Sequence, residues 1–164
     1  MSRSVYITRL AKFLPNELIA NEEIEDILGK INGKASRAKS IILRSNQIKT
    51  RYYAIDRQGN STHTNAQLAK EAFLNLTDER FKAEDIQLLA CGTSSPDQIL
   101  PSHTSMVQGE LKAAPTEIVA TSGACCNIIQ SLKYSFMSIQ GGFTDNAVCV
   151  GSERMSHWMV SKYF

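Results

Sequence analysis

The chain has 164 residues, of which 43% are hydrophobic and 21% charged, and its formal net charge is +2. This composition is typical of a globular protein, so we expect one domain with a core of ordinary size. So small a charge, without a basic run, argues against a nucleic-acid partner. No apolar stretch approaches the ~20 residues that cross a bilayer, and no secretory signal is recognisable. We therefore expect no membrane contact and a cytoplasmic location.

The first third of the chain combines short apolar patterns with a basic stretch. Residues 4–10 alternate apolar and polar side chains, which predicts a first strand. Asn21, followed by two glutamates, predicts the start of a helix that Gly33 ends. Residues 34–49 form an irregular basic stretch, and residues 56–61 have the composition of a loop.

Helices and strands alternate in the remainder of the chain. The predicted elements are a helix after Thr64, a buried strand ending near residue 90, a helix opened by residues 100–102, a strand at 117–120, a helix to about residue 140 and a strand at 147–150. This alternation predicts a mostly parallel sheet with helices on both faces. Ligands bind at the carboxyl ends of such strands, where the loops 91–96 and 121–125 lie.

The candidate nucleophile is Cys125, which follows the strand at 117–120 and a turn of small residues. Apolar side chains at Cys125, Ile128, Ile129, Leu132, Phe136 and Ile139 share one face of the predicted helix. Cys125 is thereby expected in the first helical turn, where free N–H groups and the helix dipole favour a thiolate. A buried packing role fits the same spacing equally well. The other cysteines lack zinc-ligand spacing, so no metal site is predicted.

Several segments resemble one family of enzymes. Ser122-Gly-Ala-Cys125, the pair Gly141-Gly142 and Asp145-Asn-Ala-Val-Cys-Val-Gly-Ser-Glu153 are similar to the nucleophile region of β-ketoacyl-acyl carrier protein synthase III, a thiolase-like condensing enzyme. Counted back from Gly151, the reactive cysteine of that family falls on Cys125. The neighbouring Cys126 is the alternative, one position away.

The resemblance also implies substrate-binding residues. Residues 47–54 resemble the segment that lines the coenzyme A entrance, which makes Lys49 and Arg51 candidates to bind its phosphates. A solvated basic edge of a hairpin explains each of these two residues equally well. Leu100, in the Leu-Pro-Ser element, is expected near the acyl pocket of a partner subunit.

The family's fold implies how much of the enzyme is present. We expect an α/β fold, namely a thiolase-like half with a layered arrangement and a mostly parallel mixed sheet. Residues 1–164 would form the N-terminal domain, truncated before its last strand, and the C-terminal half with its catalytic histidine and asparagine would be absent. His63, His103 and His157 match no catalytic position of the family and are expected to be surface or packing residues.

The implied function is the nucleophile-bearing part of a 3-oxoacyl-acyl carrier protein synthase III-like enzyme. Cys125 would take an acyl group from an acyl-coenzyme A thioester for decarboxylative condensation with a malonyl-carrier, in fatty acid or related polyketide-type synthesis. The partners would be acyl-coenzyme A, acyl carrier protein and a second subunit paired through the strand 117–121, and coenzyme A would enter as a substrate rather than a cofactor. The alternatives are a non-catalytic binding or assembly protein and a cysteine-dependent thioester hydrolase.

Overall fold

The computed structural model describes residues 3–161, which form two compact units. The sheet unit consists of residues 3–13 and Asn65–Glu153, and the ladder unit consists of Leu14–Thr64 and residues 154–161. The helices and strands are, in chain order, β1 (Ile19–Ala20), α1 (Ile24–Leu28), α2 (Lys39–Asn46), β2 (Thr50–Arg51), α3 (Asn65–Leu74), β3 (Leu88–Thr93), α4 (His103–Leu111), β4 (Glu117–Ser122), α5 (Asn127–Gly141) and β5 (Val148–Gly151).

The sheet unit contains a parallel three-stranded sheet in the order β4-β3-β5. The central strand β3 is buried along its whole length, as its unbroken run of apolar and small residues requires. Leu89 pairs with Ile118 on one side and with Val148 on the other, so all three strands run in register. The predicted alternation of helix and strand, and the parallel sheet that it implies, are confirmed.

Helices cover both faces of this sheet. On one face, α3 and α4 pack against the side chains of Leu89 and Val148, with Phe73 and Val107 fully buried between them. Successive strand residues point to opposite faces, so Cys149 points away from this cluster. Its thiol donates a hydrogen bond to the hydroxyl of Ser135 on α5. The unit is therefore layered, helices–sheet–helix, as expected for the thiolase-like class.

Helix α5 packs on the sheet with small polar residues and not with its apolar stripe. Ser131, Ser135 and Ser138 are buried, whereas Ile129 and Phe136 are 61% and 44% exposed. Hydroxyl groups are small enough to let the helix approach closely, and they find partners: the Thr121 and Ser131 hydroxyls lie 2.7 Å apart. Within the described residues, most of the stripe predicted from the sequence is exposed, as Ile129 and Phe136 are, whereas Ile128 faces Gly151 of β5.

The predicted first strand, residues 4–10, is wrong. This segment is irregular, and it joins neither sheet of the described residues. Tyr6 and Leu10 are 78% and 89% exposed, and the segment is held through Arg9, whose guanidinium donates to the Asp78 carboxylate at 2.7 and 3.0 Å. Alternation alone does not make a strand, because a strand also needs a partner for its backbone groups.

The ladder unit is built around one short antiparallel pair. β1 and β2 pair through Ile19 and Arg51, and the small core gathers Ile19 and Tyr53 with the apolar residues Ile27, Leu28, Ile55 and Val160. Helix α1 forms where the sequence predicts it but ends at Gly29, whose φ of +83° suits glycine, rather than at Gly33. Within residues 3–161, no helix has the length and apolar character needed to cross a membrane.

We expect Gly92→Ala to destabilise the sheet unit. A Cβ at Gly92 on β3 would lie 2.6 Å from the backbone carbonyl carbon of Asn127 and 2.7 Å from the nitrogen of Ile128, so α5 would have to move. Overpacking of this kind costs about 1–3 kcal/mol. Gly109→Ala in α4 is the matched control, because nothing lies within 4 Å of its added Cβ. It should stabilise by about 0.5–1 kcal/mol, since alanine favours helix. Urea unfolding of both variants measures the difference, and a neutral Gly92→Ala would contradict the close approach.

Candidate active site

Cys125 lies on a sharp turn between β4 and α5. Gly123, with φ of +148°, leaves the strand, and Cys125 itself has φ of +62°. The N–H of Cys126 donates to the carbonyl of Ala124 at 2.7 Å, which closes a three-residue turn with Cys125 at its centre. A positive φ at a residue other than glycine is strained and persists only where neighbouring contacts fix it. The strand–turn–helix arrangement has the geometry of a nucleophile elbow, and we call residues 123–126 the elbow.

The expectation that Cys125 lies in the first turn of the helix is wrong. Helix α5 begins at Asn127 and Cys126 is its N-cap residue, so Cys125 precedes the helix by two positions. Cys125 and Cys126 form part of the tight turn, because the chain must reverse direction between a parallel strand and its covering helix. Cys125 keeps its place beside the helix N-terminus, but it is presented by the turn rather than by the helix.

Exposure divides the four cysteines into two classes. The thiols of Cys125 and Cys126 are exposed, whereas Cys91 is buried and Cys149 is half-buried. Burial raises the pKa of Cys91 to about 12 and also raises the pKa of Cys149. Only the elbow therefore offers accessible thiols, and within residues 3–161 Cys125 is not a core residue.

A carboxylate lies where the three strands of the sheet end. Glu153, two residues beyond β5, accepts hydrogen bonds from the Ser94 N–H at 2.6 Å and from the Ser95 hydroxyl at 2.6 Å. It also accepts from the side-chain amide of Asn127, the first residue of α5, at 3.2 Å. Partial burial raises the pKa of Glu153, but these hydrogen bonds outweigh it and lower that pKa below the ordinary value. Glu153 is thus an ionised acceptor for one loop and a helix start.

Ser94 connects this carboxylate to the elbow. Its hydroxyl donates to the carbonyl of Gly123 at 3.3 Å and accepts from the Asn127 amide at 2.9 Å. The elbow is therefore held on both flanks of Cys125. Sequence reasoning assigned no role to Glu153, Ser94 or Asn127. The available signal was their position, because each follows a different predicted strand and such ends meet at one edge of a parallel sheet.

A second set of polar residues supports the same edge. Asn65, fully buried at the start of α3, donates from its amide to the Thr93 hydroxyl at 2.8 Å. The Asp97 carboxylate accepts from the N–H groups of Asn65 and Ala66, which caps that helix. His103 is 4% exposed, and its Nε2 lies 3.0 Å from the Ser152 hydroxyl. Its expected packing role agrees with this burial.

The other predicted site residues lie in different places. Leu100 is 82% exposed in the sheet unit, and its peptide bond to Pro101 is cis. Lys49 and Arg51 belong to the ladder unit, where Lys49 is exposed and Arg51 lies in β2. Burial raises the pKa of the Tyr53 hydroxyl, and the charge and hydrogen bond of Arg51 oppose that increase in part. Within residues 3–161, no cluster of three or more histidine, cysteine or acidic side chains is arranged to hold a metal ion.

The fold is that of the thiolase-like condensing enzymes. The tetronic acid condensing enzyme AbyA1 has a similar structure, with a TM-score of 0.77 over 90% of this chain and 43% of its own, at 23% identity. The 3-oxoacyl-[acyl-carrier-protein] synthase III of Aquifex aeolicus gives a TM-score of 0.72 over 89% of this chain and 44% of its own, at 24% identity. These similarities confirm the predicted thiolase-like α/β class.

Comparison with curated protein sequences finds similarity to one kind of condensing enzyme. The chain is 27% identical over 155 residues to the β-ketoacyl-[acyl-carrier-protein] synthase III of Chlorobaculum tepidum, and 28% identical over 144 residues to that of Clostridium perfringens. These alignments cover 92% and 88% of this chain but 43% and 41% of the relatives, so the chain spans about two-fifths of their length. No family model matches the chain. The resemblance seen in the sequence is confirmed.

We predict that His103 makes stability depend on pH. Burial lowers the pKa of His103, although the charges of Asp97 and Glu153 oppose this in part, so the folded chain holds the neutral imidazole. The unfolded chain takes up a proton near the ordinary pKa of about 6.5, so the contribution of His103 is complete above that value and is lost as the pH falls below it. Between pH 7 and pH 5, the free energy of unfolding should therefore fall more for the wild type than for His103→Gln. Equal falls in urea unfolding would contradict a buried neutral histidine.

Proposed function

We propose that this chain carries the nucleophile of a 3-oxoacyl-acyl carrier protein synthase III-like enzyme. Cys125 is the nucleophile and attacks the carbonyl of an acyl-coenzyme A thioester. The C–S bond to coenzyme A breaks, the acyl group passes to the Cys125 sulfur, and the released thiolate takes a proton. The acyl group is then condensed with a malonyl-carrier, with loss of carbon dioxide, by groups that the rest of such an enzyme supplies.

The observation that carries this proposal is the elbow itself. Cys125 is an exposed thiol at the carboxyl end of a parallel sheet, held at a positive φ beside the start of a 15-residue helix. The proposed oxyanion donor is the backbone N–H of Cys125. The similarity to curated β-ketoacyl-[acyl-carrier-protein] synthase III chains supports the same chemistry.

The substrate-binding residues remain proposals of the same kind. Lys49 and Arg51 would bind the phosphates of coenzyme A, and the acyl carrier protein would deliver the malonyl group. The exposed side chain of Lys49 supports this role. The strongly exposed Leu100 would contribute to the acyl pocket of a partner subunit.

The test is acylation by radiolabelled acetyl-coenzyme A and octanoyl-coenzyme A. We expect slow labelling of at most one thiol per chain, which Cys125→Ser abolishes and the matched Cys126→Ser retains. We also expect no β-ketoacyl product when a malonyl thioester is added, because this chain provides the nucleophile and not the decarboxylation step. Loss of label in Cys126→Ser alone would move the nucleophile by one residue.

Other outcomes of the same experiment select other functions. Turnover to free acid without stable label would favour the thioester hydrolase. Absence of label from the folded wild type with both substrates would favour a binding or assembly role. Formation of β-ketoacyl product would show that residues of this chain also perform the condensation.

We also propose that β4 mediates a two-fold dimer. β4 is an edge of the described three-stranded sheet, and its Ile118 and Val119 are only half-buried. Such an edge favours pairing with an identical strand. Ala120→Lys places a charge on this exposed edge position, whereas Ala114→Lys adds the same charge to an exposed residue before the strand. In light scattering at several concentrations, Ala120→Lys should shift the chain towards monomer and Ala114→Lys should not. A monomeric wild type would contradict the dimer.

A further inference from the structure

We propose that Glu153 is a positioning residue that fixes the Cys125 elbow through Asn127 and Ser94. This deepens the proposed function, because it assumes that presentation of Cys125 matters for acyl transfer. Glu153 is not expected to contact the substrate. Its role is to hold the turn in which Cys125 rather than Cys126 is presented.

Three chain segments that are distant in sequence meet at this carboxylate. The Ser94 N–H and the Ser95 hydroxyl come from the loop after β3, and the Asn127 amide comes from the first residue of α5. Glu153 itself follows β5. Each of the three segments leaves the sheet at the same edge, so Glu153 cross-links the loops that surround the elbow.

An ionised carboxylate satisfies this set of donors without any of them changing its role. A carboxylate has two oxygens that accept and none that donates, so it serves a backbone N–H, a hydroxyl and an amide at once. A glutamine at position 153 would keep one accepting oxygen but lose the charge, and its NH₂ group could bond to Ser95 only if that hydroxyl turned to accept. The charge-assisted hydrogen bonds that lower the pKa of Glu153 are the ones that this change weakens.

The connection to Cys125 runs along both sides of the turn. Asn127 lies two residues after Cys125 and binds both Glu153 and Ser94. Gly123 lies two residues before Cys125, and its carbonyl accepts from the Ser94 hydroxyl. A strained φ such as that of Cys125 persists only when surrounding contacts over-determine it, and these contacts are the ones that flank it.

The test compares the reactivity of the two adjacent thiols. The wild type, Glu153→Gln and the control Glu84→Gln are treated with limiting iodoacetamide, and fragmentation of the peptide gives the ratio of Cys125 to Cys126 modification. Glu84 is exposed, outside the network, and undergoes the same change of charge. We expect Cys125 to react first in the wild type and in Glu84→Gln, and the ratio to fall about tenfold in Glu153→Gln, as when a catalytic group loses its orienting partner. Unfolding would also bring the ratio towards one, but it would modify the buried Cys91 as well, so Cys91 has to stay unmodified wherever the ratio is compared.

Ser94→Ala provides the independent arm, because it removes the bridge from Gly123 to Asn127 while the backbone N–H to Glu153 remains. If Ser94 and Glu153 act through one network, the effects on the ratio in the double variant will be far from additive. An unchanged ratio in folded Glu153→Gln overturns the proposal, and if that variant does not fold, an unchanged ratio in Ser94→Ala overturns it. The proposed function fails separately, when the wild type takes no acyl group at Cys125 whatever the ratio shows.

Discussion

The close approach of α5 to the central strand is the constraint on which the rest of the sheet unit depends. Gly92 leaves no room for a Cβ beneath the backbone of Asn127, and a Cβ at Gly151 on β5 would lie 3.0 Å from the Ile128 side chain. Serines continue this contact along the helix, with Ser131 and Ser135 buried against the strands. Because the helix lies so near the sheet, the chain has only four residues between β4 and α5 in which to turn. The strained elbow at Cys125 follows from that geometry.

Polar side chains then stabilise what this geometry imposes. A carboxylate within a partly buried edge would be unfavourable alone, but the donors that surround Glu153 compensate for its desolvation. Asn65, Thr93 and Asp97 form a further layer of hydrogen bonds on the same edge. These hydrogen bonds order the carboxyl ends of the three strands.

The sequence predicts the sheet unit well because its signals are local. Helical and strand periods, the cap at Ser102 and the glycine pair 141–142 each act over a few residues, and the structure has helices and strands there. The predictions that are wrong concern relations between distant segments. Residues 4–10 have a strand pattern but no partner strand, and most of the apolar stripe of α5 is exposed because serines pack more closely on the sheet. A local sequence pattern specifies neither which strands pair nor how closely a helix packs on a sheet.

The candidate site shows the same division. Cys125 could be identified from its position after a strand and from resemblance, but the elbow required knowledge that a residue other than glycine has φ of +62°. The roles of Ser94, Asn127 and Glu153 could not be predicted for another reason. Each has an ordinary identity in its own segment, and only the parallel register of β3, β4 and β5 brings their ends together. Glu153 belongs to a segment that carries the family resemblance, but the sequence assigned it no role.

Because the cysteines differ in burial, their reactivity can report transient opening of the sheet unit. Cys91 lies at the middle of the central strand with no exposed surface and a pKa raised to about 12, so reagents reach it only when the sheet separates. The elbow thiols need no such event. The time course with which Cys91 becomes reactive would therefore report how often the core strand is exposed under native conditions. Comparing the reactivity of Cys91 with that of Cys125 and Cys126 would separate motions confined to the elbow from openings of the whole sheet unit.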